Sequence, residues 1–115
     1  MARSRRHSYL LTHRAKAALT QAELAELLSV SADAVSKYEL GKRRITVKVL
    51  IASAIIFGVG PAELFPALYD AVEDELAIRA HRLHERLSER KDPAAKKKVA
   101  LLAGIPRRLR PATEV

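Results

Sequence analysis

The tightest constraint on this chain lies between Thr20 and Lys42, TQAELAELLSVSADAVSKYELGK. Two helical patterns follow each other there with only Ser29-Val30 between them before Ser31 opens the second. Thr20 can accept from orphan N–H groups at the start of the first helix, and Glu23 three residues on completes a capping box. Leu24, Ala25, Leu27 and Leu28 then recur at helical spacing. Ser31 caps the second helix, on which Val35 and Tyr38 share a face. A connection this short makes the two axes cross steeply, so the residue at the crossing must be small. Ala25 stands there, and Val30 fills the gap beneath the turn.

Such a unit is a helix-turn-helix, with a second helix shaped to enter a DNA major groove. Gln21-x-x-x-Ala25, Val30-Ser31, Val35-Ser36-Lys37-x-Glu39 and Gly41-Lys42-Arg43 together resemble the phage-repressor (Xre/lambda-repressor-like) family. The resemblance runs from Ser8 to Phe65 and implies an all-α, five-helix DNA-binding domain. One departure is Ser29, where the family usually has Gly in a left-handed conformation. A serine there costs about 1 kcal/mol.

The resemblance also implies site residues. Ala32, Asp33, Ser36 and Lys37 occupy the positions that reach base edges. Lys37 can donate to guanine O6/N7, Asp33 can accept from cytosine N4, Ala32 can touch a thymine methyl, and Ser36 suits a base or a phosphate. The bland alternative is a merely solvated helix face. Gln21 matches a phosphate ligand at a helix start. Lys42, Arg43 and Arg44 are placed for phosphates too, although a cation run is often only solvated surface. Arg14 on helix one matches the family's partner of Glu39; otherwise the two are unrelated surface charges. An inward Arg stays charged and needs a planar carboxylate.

Charge supports a polyanion partner through its distribution. Residues 1–58 carry ten Lys/Arg against four acids, residues 59–92 five against eight, and residues 93–115 six against one. Solubility alone does not require that segregation. Residues 1–7 form a basic arm, expected to be flexible, whose Arg3, Arg5 and Arg6 suit phosphate or minor-groove contact if they act at all. There is no cysteine, so disulfides and thiolate metal sites are excluded, in keeping with a reducing cytoplasm. No apolar run reaches the roughly 20 residues that span a bilayer, and the basic start leads into an amphipathic helix rather than a signal peptide.

In chain order, helix one is expected over Ser8 to Ala18, capped by Ser8, with Leu10, Arg14 and Ala17 inward. Gly41 stops the recognition helix. Thr46 caps a fourth helix through Phe57, with a core stripe of Val47, Leu50, Ile51, Ala54 and Phe57. Ile55 and Ile56 fall off that stripe, to be covered by later residues or by a second subunit. Pro61 opens a short fifth helix ending near Phe65, with Leu64 and Phe65 in the core. A long helix then runs from Pro66 to about Arg90. Its narrow apolar seam, Leu68, Val72, Leu76, Ala80, Leu83 and Leu87, suits one other helix. Asp92-Pro93 opens a last helix to about Ala103, and residues 104–115 read as a basic, disordered tail. The expected domains are thus 8–65 for DNA binding and 66–103 for dimerisation.

His81 and His84, followed by Glu85, have a spacing that can grip a metal, but helical histidine pairs are common on surfaces and no metalloprotease motif or further ligand accompanies them. No catalytic set or phosphate loop is visible, and no cofactor or small-molecule ligand is implied. Two function classes fit. The first is a sequence-specific regulator of transcription, a small homodimeric repressor on double-stranded DNA, with Ile55, Ile56, Leu68, Val72, Leu76, Leu83 and Leu87 at the dimer contact. The second is a protein-interaction module, antitoxin-like or recombinase-associated, that uses the long helix and basic tail.

Overall fold

The computed structural model describes residues 8–109. The expected basic arm with Arg3, Arg5 and Arg6, and residues 110–115, lie outside them. All regular structure among the described residues is helical: α1 Leu10–Lys16, α2 Gln21–Leu28, α3 Ala32–Glu39, α4 Val47–Phe57, α5 Pro61–Leu64, α6 Pro66–Ser88, α7 Pro93–Ala103 and α8 Ile105–Arg108. The chain divides into two compact units between Asp70 and Ala71. The expected boundary before Pro66 thus falls five residues early, because the first turn of α6 belongs to the first unit.

In the first unit the capping box at Thr20 is formed, with Thr20 Oγ1 accepting from Glu23 N at 3.0 Å and Glu23 Oε1 from Thr20 N at 2.8 Å. Ser29 ends α2 at φ 59, ψ 47. This left-handed residue lets Val30 N donate back to Ala25 O at 3.0 Å and turns the chain straight into the Ser31 cap. Ala25 is buried at the crossing, and Val30 packs against the core. That core gathers Leu10, Leu24, Leu28, Val35, Tyr38, Val49, Leu64 and Phe65. Tyr9 N donates to Leu64 O at 2.8 Å, tying the start of α1 to the end of α5, and the rings of His13 and Phe57 lie with centroids 5.7 Å apart, tilted by 32°.

Three expectations for this unit need correction. Helix α1 is shorter than expected: Tyr9 stands at its N-cap, while Ser8 Oγ accepts from Leu10 N at 3.0 Å. Ala17 is exposed rather than inward, because the chain reverses at Ala18 (φ 59), with Leu19 N donating to Arg14 O at 3.1 Å. On α4 the buried face is rotated. Val49 and Ser53 are buried, with Leu50, Ile56 and Phe57 against the core, whereas Val47 and Ile51 are exposed. VKVLIASAIIF is apolar nearly all round, so periodicity cannot orient it.

In the second unit, Asp92 Oδ2 accepts from Ala95 N at 3.2 Å and caps α7. Ala80, Leu87 and Ala95 are buried. Ala77, Ala80, Leu102, Ile105, Pro106 and Leu109 line an open cavity of about 280 Å³ where α6, α7 and α8 meet. The stretch expected as tail from residue 104 instead makes another helical turn, since Gly104 keeps right-handed geometry (φ −81, ψ −16) and Pro106 suits a first turn.

Candidate nucleic-acid interface

Helix α3 is amphipathic by burial. Ala34, Val35 and Tyr38 face the core, Ala32 and Asp33 are exposed, and Ser36 and Lys37 are half-buried. The four residues expected to read bases therefore share the side turned away from the core. Lys37 Nζ and Asp33 Oδ2 lie 3.0 Å apart as an i,i+4 pair. Each is thus the other's partner in the free protein, which spacing alone left open.

Behind this face sits a polar clamp. Arg14 Nε donates to Glu39 Oε2 at 2.6 Å and Arg14 Nη2 to Glu39 Oε1 at 3.2 Å, a forked pair. The Glu39 side chain is 1% exposed and that of Arg14 16%. Arg14 Nη1 also donates to Leu19 O at 2.9 Å. The Glu39 hydrogen bond raises the arginine's pKa above its ordinary value, against desolvation and with help from the carboxylate's charge. Gln21 Nε2 donates to Glu39 Oε1 at 2.9 Å. Sequence reasoning missed this second role of Gln21, because nothing in the spacing brings residues 21 and 39 together. Gln21 is half-buried at the start of α2, so one amide hydrogen is already engaged by the clamp.

After α3, Gly41 takes φ 73, and Lys42 N donates to Lys37 O at 2.8 Å. Lys42, Arg43 and Arg44 follow, all exposed. Among the described residues none has a carboxylate within ion-pair distance. Lys48, exposed in the first turn of α4, adds a cation that sequence reasoning passed over. On α6, His81 Nε2 lies 3.3 Å from Glu85 Oε1 and His84 Nδ1 lies 3.3 Å from Ser88 Oγ. No cluster of three metal-ligating side chains occurs among the described residues.

The residues expected at a dimer contact divide. Ile55 is 77% exposed, and Leu68, Val72 and Leu76 are exposed as well. Ile56 packs against the core, Leu83 is half-buried and Leu87 is buried. Ile56 and Leu87 are covered within the chain, and Leu83 is covered in part. The structure adds Val47 and Ile51, which with Ile55 make an exposed apolar row along α4 at i, i+4, i+8.

Two helices joined by the short turn Ser29–Ser31, an outer face on the second turned away from the core, and a cation loop beside it that the described residues leave unpaired define a DNA-binding helix-turn-helix regulator. Residues 11–64 match the family described as Helix-turn-helix. That match spans 54 of the 115 residues, just under half of the chain, and supports for that segment the resemblance to the phage-repressor-like (Xre/lambda-repressor-like) helix-turn-helix family. Comparison with curated proteins and with solved structures found no match. No described helix is long and apolar enough to cross a membrane.

Proposed function

We propose that this protein is a cytoplasmic repressor that occupies its operator as a homodimer, reading bases with Ala32, Asp33, Ser36 and Lys37 and gripping phosphates with Gln21, Lys42, Arg43 and Arg44. One observation carries the reading: the outer face of α3 is free of the core and adjoins three cations that the described residues leave unpaired. One helix-turn-helix covers one half-site, and two half-sites about 34–36 Å apart supply the discrimination a single one lacks. The exposed row Val47, Ile51, Ile55 and the exposed seam residues Leu68, Val72 and Leu76 offer apolar surface for a second copy. Selection from random-sequence duplex tests this. Lys37→Ala should relax one base pair at a cost of ~1–3 kcal/mol, while Lys42→Ala should weaken every duplex alike. Recovery of no preferred sequence would sink the operator reading.

The same apolar rows favour a second reading, an interaction module for a different protein. A purified chain that stays monomeric at micromolar concentration and shows no sequence preference would select it.

A further inference from the structure

Helices α7 and α8 carry a surface that operator reading leaves unused. Residues 93–109 hold five cations and no carboxylate. Lys96, Lys97 and Lys98 are exposed on α7, and Arg107 and Arg108 on α8. Among the described residues none of these five lies within ion-pair distance of a carboxylate. The cations before them are partly offset: Arg79 pairs with Glu75 at 3.7 Å and Arg90 with Asp92 at 3.0 Å. Arg90, Lys91 and Lys96 also line, with Ser88, an open groove of about 510 Å³ whose walls include no carboxylate. Three successive lysines on a helix fan over more than half its circumference, since each step turns about 100°. Their mutual repulsion is offset by nothing in the described chain, so a polyanion is the complementary partner.

We propose that α7 and α8 form a second, sequence-independent phosphate-binding surface for duplex DNA. The proposal rests on the DNA-binding reading above. A duplex presents one negative charge per roughly 1.7 Å of axis, which matches a fan of lysines without demanding a fixed register. Residues 71–109 contain no Phe, Tyr or Trp, so the surface lacks the large stacking platforms on which single strands are held.

The test is the salt dependence of full-length protein on a random-sequence duplex, followed by fluorescence anisotropy between 50 and 200 mM salt. Three variants are compared with wild type: Lys96→Gln/Lys97→Gln/Lys98→Gln on α7, Lys42→Gln/Arg43→Gln/Arg44→Gln in the loop, and Arg79→Gln/Arg82→Gln/Arg86→Gln on α6 as a control of equal charge loss. The α7 variant should lower the slope of log K against log[salt] by about two to three units, at ~0.9 for each phosphate no longer neutralised. Its effect should add to that of the loop variant, while the α6 control stays near wild type. An α7 variant with the wild-type slope overturns the proposal and points to an acidic protein as the partner of this surface. A control that falls equally also overturns it, by showing that only net charge matters. Failure of wild type to bind any duplex would remove the DNA-binding reading itself, whereas an effect confined to the loop variant removes only this surface.

Discussion

Glu39 accepts from the guanidinium of Arg14 on α1 and from the amide of Gln21 at the start of α2, while its own backbone closes α3. One carboxylate therefore fixes the recognition helix against both helices behind it. Glu39→Ala strands a nearly buried arginine and an amide together and should cost ~3–5 kcal/mol, read as a lower midpoint in urea. Melting within error of wild type would show that the clamp carries no stability. The shift on Arg14 is upward, so its stabilisation is full below the ordinary arginine value and is lost only as pH rises through the still higher folded value. The clamp should accordingly be indifferent to pH across the physiological range. Two other residues are held in strained geometry: Ala18 and Ser29 both have φ 59. Ala18→Gly and Ser29→Gly should each stabilise by about 1 kcal/mol, seen as a rise in Tm. A fall at either site would mean that the glycine's extra freedom in the unfolded chain outweighs the strain relieved.

Among elements, α2 and α3 were legible in the sequence because caps, spacing and turn length are local signals that agree with one another. Thr20 with Glu23, Ser31 and Thr46 each cap the helix expected of them. Helix α4 was legible as a helix but not in its orientation. Its faces differ little in polarity, so the burial of Ser53 in place of Ile51 is decided by neighbours distant in sequence. The Arg14–Glu39 pairing could be anticipated only through family likeness, and the Gln21 link to it not even then. At the opposite extreme, Asp92 announced α7 through its Asp-Pro start, and its cap has a pH signature. The hydrogen bond from Ala95, followed by the influence of Arg90, lowers its pKa below the ordinary 3.8 despite the opposing cost of desolvation. The cap's contribution is thus complete above 3.8 and fades as pH falls through the lower folded value. Hydrogen-exchange protection in the first turn of α7, taken relative to the intrinsic rate at each pH, should fall over that acid range. Asp92→Asn should keep the cap but flatten the pH dependence, and Asp92→Ala should lose both. Equal exchange in wild type and Asp92→Ala at neutral pH would remove the cap from the account.

For the molecule as a whole, the exposed apolar rows on α4 and α6 are the surfaces a second copy would cover under the dimer proposal. Val72→Glu with Leu76→Glu would put charges on exposed seam residues while leaving the core untouched. Under the dimer proposal this variant should sediment as a folded monomer and lose its preference for two half-sites over one. A variant that still sediments as a dimer would place the contact elsewhere, and Val47→Glu with Ile51→Glu would then test the α4 row. The exposed pair of Asp33 and Lys37 has a consequence at the same scale. Such a pair holds only about 0.3–0.5 kcal/mol, so a correct base edge displaces it at little cost. Until that happens its two charges cancel, and pull toward arbitrary duplex falls to cations outside the reading face, the loop from Lys42 to Arg44 among them. Grip and reading are thereby loaded onto different parts. Under the proposed function, the protein would travel along the phosphate rail with its reading face electrically quiet, passing wrong sequences without snagging on them.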